Sequence, residues 1–211
     1  MINRRTLLAG LLATALVPTT LFGEAFAHHT GKRRRRRRVR AARRRKTRRA
    51  RKPFKLAKRF QPQRVFFRNR YKRGTIVVDP RNHYLYLVES RIHARRYGVG
   101  VGRAGLAFKG SARIGRKAKW PSWTPTAGMI RREPQKYLKY KDGVPGGPGN
   151  PLGARALYLY KGKRDTLFRI HGTTAPWSIG RSVSNGCIRM VNDHVIDLYN
   201  RVPRGARVVV I

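Results

Sequence analysis

The residues best suited to chemistry are one thiol and one imidazole. Cys187 is the single cysteine among 211 residues, and it stands within Ser184-Asn185-Gly186-Cys187-Ile188-Arg189-Met190. Sixteen positions upstream, Ile170-His171-Gly172-Thr173 delivers a histidine at the end of an apolar stretch. A thiol nucleophile needs a base to take its proton and a third group to orient the imidazole. Gly186 lets backbone approach a substrate closely, and the amides beside Cys187 are placed to donate to an oxyanion. Arg189 adds positive potential that favours a thiolate and suits a substrate carboxylate. Taken alone, a lone cysteine is more often a small buried hydrophobe than a nucleophile. The argument for chemistry rests on its neighbours.

Those two segments require elements to hold them. Thr75–Val78 is rich in β-branched residues and runs through the turn-forming Asp79-Pro80-Arg81-Asn82 into His83–Val88, which predicts a hairpin. Ile92–Val101, Ala156–Tyr160, Thr166–Ile170 and Arg207–Ile211 read as further strands. One helix should follow the cysteine motif. Asn192 is placed to cap it, Asp193 favours its first turn, and Val195, Ile196, Leu198, Tyr199 and Val202 give it an apolar stripe before Pro203. The fold class is mainly β, and short strands at this spacing favour a sandwich or partly closed barrel over a parallel α/β sheet. Arg103–Asn150 reads as loop-rich, a binding wall or lid in which Trp120 and Trp123 either contact ligand or pack a loop core.

The ends bound the setting. Residues 1–27 read as an export signal: Arg4-Arg5, an apolar Leu7–Val17 run and Ala25-Phe26-Ala27 as a cleavage site. The arginine pair resembles a twin-arginine signal, with a general secretory route as the alternative. The expected location is the periplasm or cell envelope. Net charge is +43, much of it in residues 32–52, which contain no acidic residue. Residues 28–73 are therefore read as a basic arm and linker, disordered in large part, and 74–211 as the folded domain. Such an arm in the cytosol would suggest nucleic acid. After export its partners would be anionic envelope surfaces, bound by counterion release, and no nucleic acid is expected. A linker without a partner is the bland alternative.

At Cys187 and His171 the sequence resembles the L,D-transpeptidase family (the YkuD-type catalytic domain). That family carries a histidine-glycine pair and then Ser/Thr-His-Gly-Cys-Ile/Val-Arg, and Asn150-Pro151-Leu152-Gly153 and Pro125–Met129 also resemble its recurrent features. The resemblance implies a YkuD-like β domain over residues 74–211 that acts on peptidoglycan stem peptides. It implies Cys187 as nucleophile, His171 as general acid and base, and the Gly172 carbonyl as the orienting group. It also implies Ser184, Asn185, Gly186 and Arg189 as substrate or oxyanion contacts. The acceptor stays open among a second stem, water and a protein amine. A non-catalytic basic envelope-binding protein is the reading from another class. Asn185 departs from the pattern, standing where the family commonly has a second histidine. An amide orients but does not titrate, and activity is expected to survive because His171 is intact. No cofactor or metal is implied: His28, His29, His83, His93 and His194 lack ligand spacing, no carboxylate pair suits glycoside hydrolysis, and no phosphate-binding loop is evident.

Overall fold

The computed structural model describes residues 34–40, 54–104 and 106–211. The export signal and most of the basic arm lie outside the described residues. Within the arm, residues 34–40 form an exposed helix, α1, where the sequence suggested no regular structure. Arginine is a good helix former, so propensity offsets like-charge repulsion there. The second compact unit spans Phe54–Ile211, twenty residues earlier than the expected boundary at 74. Gln63–Phe66 forms β1, antiparallel to β4 (His93–Gly98). Buried Phe60 lies so close to Gly98 and Gly180 that a Cβ at either would fall within 2.5 Å of its side chain. Phe67 stacks on Tyr86 at 4.5 Å. Arg64, Arg68 and Arg70 are exposed and disguise the segment as linker.

The remaining strands are β2 (Ile76–Asp79), β3 (Tyr84–Val88), β5 (Val101–Gly102), β6 (Gly110–Lys119), β7 (Arg155–Lys161), β8 (Arg164–His171), β9 (Ser182–Ser184), β10 (Ile188–Arg189) and β11 (Arg207–Val210). Nine form one sheet in the order β1-β4-β3-β2-β11-β6-β7-β8-β10, and β5 pairs with β9. The fold is mainly β, as expected. The expected hairpin is present, with Ile76 opposite Leu87 and Asp79 opposite Tyr84. Within the nine-stranded sheet two pairings are parallel, β11 with β2 and β10 with β8, so that sheet is mixed. The Arg103–Asn150 stretch is less irregular than its composition suggested. It contains the ten-residue β6 and two short helices, α2 (Ala127–Arg132) and α3 (Pro134–Tyr137). A register shift between Ile114 and Arg116 breaks the alternation by which β6 would have been recognised.

Helix α4 (Asn192–Arg201) buries His194, Val195 and Leu198 and packs on β7 and β8. Its cap is Val191, without a side-chain hydrogen bond, so Asn192 does not cap as its residue type predicted. Lys117 Nζ closes the other end, donating to Tyr199 O at 2.7 Å and Val202 O at 2.6 Å. Asp197 ties the helix to β4. Its Oδ2 accepts from Tyr97 Oη at 2.7 Å and Arg95 Nε at 2.8 Å, and its Oδ1 accepts from Arg201 Nε at 2.8 Å. Burial alone would raise the Asp197 carboxyl, but hydrogen bonds from Tyr97, Arg201 and Arg95 outweigh it and hold the pKa below the usual range. Asp197→Ala leaves the inward-facing Tyr97 hydroxyl unpaired. It should lower the unfolding free energy by about 2 kcal/mol, measured by urea denaturation at pH 7.

Candidate active site

β8 and β10 bring the two chemical segments together. Their parallel register sets Ile188 beside Ile170 and Arg189 beside His171. Cys187 therefore enters β10 one residue before the level of Ile170. His171 is 4% exposed at the end of β8, and its Nδ1 is hydrogen-bonded to Gly172 O at 2.5 Å. The Gly172 carbonyl thus holds the ring. Cys187 is half-buried, and its Sγ donates to Leu167 O at 3.9 Å.

Leu167 is exposed at φ +63°, a left-handed conformation that is strained for its type. Local bonds hold it there. Leu167 N donates to Asp165 Oδ1 at 2.8 Å, and Phe168 N donates to Thr166 Oγ1 at 3.2 Å. The β7–β8 register shifts at this point. Arg169 clasps the distortion by a bidentate pair with Asp165, at 2.7 Å and 2.9 Å. The irregular strand thereby turns a carbonyl toward the thiol.

Asn192 supplies the support that the sequence assigned to helix capping. Its Oδ1 accepts from Ala154 N at 3.1 Å and Thr173 N at 3.2 Å, joining the start of β7 to the loop beyond His171. A Cβ at either Gly153 or Gly172 would fall 2.2 Å from that oxygen, so both positions must be glycine. Asn150 shapes the approach to Gly153. It is 1% exposed, its amide donates to Val144 O and Pro145 O, and its Oδ1 accepts from Leu152 N. The sequence marked Asn150–Gly153 only as a resemblance. Asn192 carried no signal for this role, because its bonds reach 38 and 19 residues away.

Ser184, Asn185 and Gly186 form the turn that presents the thiol. Ser184 Oγ donates to Cys187 O at 2.6 Å and accepts from Gly186 N at 3.1 Å. Both groups are engaged within the turn, so in this state neither is free to meet an oxyanion. Gly186 has φ +122°, and a Cβ there would fall 2.5 Å from Leu106 O and from the Phe168 ring. Asn185 uses both ends of its amide: Oδ1 accepts from Arg103 Nη2 at 2.9 Å, and Nδ2 donates to Tyr137 Oη at 2.7 Å. Arg103 also pairs with Glu133 at 2.6 Å. The asparagine thus fastens the α2–α3 segment to the cysteine turn. Trp123 packs edge-on against Tyr137 and Tyr140 inside that segment, whereas Trp120 is 44% exposed.

The electrostatics favour neutral groups at rest. Burial, then the charge of Arg189, pushes the His171 pKa down to about 3 against the opposing hydrogen bond to Gly172. Burial pushes the Cys187 thiol up, more than the Arg169 amide and the charges of Arg169 and Arg189 pull it down. Arg189 has no carboxylate partner among the described residues, and burial lowers its own pKa. It is a desolvated cation beside the thiol, suited to a carboxylate.

Two outcomes follow from these charges. Alkylation of the single thiol by iodoacetamide should be slow at pH 7 and keep accelerating above pH 9, beyond the range of an ordinary cysteine. Because the folded state holds His171 neutral, unfolding takes up a proton between about pH 6.5 and pH 3. Stability should therefore fall with acidification across that window, and Tm in His171→Gln should fall less than in the unaltered protein.

With this geometry the chain can be placed among known proteins. The YkuD L,D-transpeptidase catalytic domain matches residues 73–210. The probable L,D-transpeptidase ErfK/SrfK of Escherichia coli K12 is 34% identical over 153 residues, covering 71% of this chain and 47% of the relative. The probable L,D-transpeptidase YbiS of the same strain is 31% identical over 149 residues, covering 70% and 47%. The chain spans about half the length of the curated relatives it matches. A Brucella melitensis crystal structure named a probable carnitine operon oxidoreductase is 55% identical, covers 74% of this chain and 96% of its own, and superposes with a TM-score of 0.51. From the match over residues 73–210 and the relatives that share it, this chain belongs to the YkuD family of L,D-transpeptidase catalytic domains.

Proposed function

We propose that this chain is a cysteine L,D-transpeptidase acting on peptidoglycan stem peptides. The observation that carries this reading is the β8–β10 register. It aligns the cysteine turn with the strand that ends in His171, and it leaves Arg189 beside both without a carboxylate partner among the described residues. With Nδ1–H donating to the Gly172 carbonyl, the imidazole lone pair lies on Nε2 and is available to a proton.

In this mechanism Sγ attacks the carbonyl joining the diamino acid to the terminal D-alanine of a tetrapeptide stem, and the thiol proton passes to His171 Nε2. A carbon–sulfur bond forms and the carbonyl electrons move to oxygen. Collapse breaks the peptide bond, and the departing D-alanine nitrogen takes the proton from His171. An acceptor amine then attacks the thioester and gives its proton to His171. Loss of Sγ, reprotonated by His171, completes the amide. The depressed histidine and raised thiol make a resting ion pair unfavourable, so proton transfer accompanies bond formation. Arg189 is the residue we assign to the stem carboxylate. Water as acceptor would make the same site a carboxypeptidase, and a protein amine would make it an attachment enzyme. The oxidoreductase name of the Brucella relative does not change this reading: Gly100-Val101-Gly102-Arg103-Ala104-Gly105 has the spacing of a dinucleotide fingerprint, but Val101–Gly102 pairs with β9 and the next element is strand β6, where the fingerprint requires a helix. Export to the envelope, with the basic arm tethering the enzyme to anionic surfaces, completes the proposal.

Incubation with tetrapeptide muropeptides should release D-alanine and join two diamino acids directly, as read by mass spectrometry. Cys187→Ala should abolish product while leaving Tm within a few degrees. No acyl adduct on Cys187 with stems or with a carbapenem-type β-lactam would overturn the assignment. With His171 already neutral, kcat/KM should show no acid limb near pH 6.5, and an apparent pKa there would contradict its role as a desolvated base. Asn185→Ala should raise KM more than it lowers kcat, by about tenfold, because it releases α3 from the cysteine turn without removing a reacting group. A chain lacking residues 32–52 should keep activity on soluble stems and bind isolated envelopes less well at low salt.

A further inference from the structure

A second, wholly basic surface lies away from the catalytic cleft. Two confluent depressions, of 640 Å³ and 930 Å³, share Arg113, Tyr160 and Gly162. No acidic residue lines either one among the described residues. At their junction three cross-strand neighbours stand in a row: Arg207 of β11 faces Arg113 of β6, which faces Tyr160 of β7. Like charges directly opposite on adjacent strands destabilise a sheet. Neither guanidinium has a carboxylate partner among the described residues to relieve that repulsion.

The aromatic end of the row is built with equal economy. A Cβ at Gly115 would fall 2.4 Å from the Tyr160 ring, so the ring lies flat on bare backbone at the β6 register shift. Lys161 and Lys163 stand on either side of the adjoining turn and line one depression each. The row is also displaced along the sheet from His171. Tyr160 pairs with Asp165 whereas Ala156 pairs with His171, so four residues of β7, about 13 Å of strand, separate it from the imidazole.

We infer that this groove is a binding site for a phosphomonoester-type dianion, held between Arg113 and Arg207 and flanked by Tyr160 and the two lysines. Two adjacent guanidinium forks carry two charges and several parallel donors. A terminal phosphate supplies up to two negative charges and three acceptor oxygens, whereas a carboxylate supplies one charge and two oxygens. The ligand is a phosphate borne by a soluble molecule or by a lipid headgroup. The site is independent of the transpeptidase reading and of the basic arm.

The test is acetylation footprinting of the full-length protein at near-physiological salt, read residue by residue by mass spectrometry so that binding to the arm does not mask the groove. Inorganic pyrophosphate, vesicles containing phosphatidic acid, and polyglutamate serve as probes. Pyrophosphate or the vesicles should slow acetylation of Lys161 and Lys163 by about threefold or more, while exposed Lys72 and Lys139 change little. Protection by pyrophosphate assigns a soluble phosphate, and protection by vesicles alone assigns a lipid source. In the Arg113→Ala/Arg207→Ala double variant, half-protection should require about tenfold more probe. The variant should melt no lower than the unaltered protein, since the substitution removes a repulsion. Uniform protection of all exposed lysines, equal protection by polyglutamate, or unchanged protection in a folded double variant would each overturn the inference.

Discussion

The site depends on one oxygen. Asn192 Oδ1 accepts from the amides of Ala154 and Thr173, which belong to separate segments that meet only in the folded chain. Those bonds hold the backbone that places Gly172, and the Gly172 carbonyl in turn fixes the His171 ring. No side chain fits at Gly153 or Gly172, where a Cβ would collide with the same oxygen. The orientation of the imidazole thus rests on a buried polar contact whose partners are main-chain amides, which vary little with side-chain identity. Helix α4 anchors that contact, and Asp197 and Lys117 anchor the helix to β4 and β6.

Around this frame the protein combines burial with an excess of positive charge. Desolvation disfavours a charged imidazole, and nearby arginines disfavour it further. The same arginines draw the thiol toward its anion, though less strongly than burial opposes it. The thiol rests against the Leu167 carbonyl, which a strained residue in an irregular strand turns toward it. A neutral thiol resists oxidation and alkylation.

Much of the sheet was legible because hairpins and half-buried strands carry their pattern locally. Ile76–Asp79, Tyr84–Val88 and Arg155–Lys161 appeared close to their observed bounds. β1 and β6 were hidden for different reasons. In β1, the exposed positions are Arg64 and Phe66, which leaves no polar-out, apolar-in alternation in a short segment next to a basic tract. In β6, the shift at Gly115 interrupts the alternation, and the arginines and lysines on its open face resemble loop composition. Asn192 shows the limit of local rules. Its type and position matched a helix cap, yet tertiary contacts offered its side chain two better donors.

By itself the sequence determined the chemical identities: one cysteine, a histidine sixteen positions upstream, a glycine after that histidine and an arginine after the cysteine. It also determined the mainly β class, because periodicity and turn chemistry are properties of neighbouring residues. Only the tertiary structure decided how those groups are used. Parallel pairing of β8 with β10 aligned the two motifs, Asn185 joined Arg103 to Tyr137, and Arg207 came to stand opposite Arg113. Each of these joins residues far apart along the chain, and the energy that selects them comes from burial and register across the whole sheet, which no local window contains.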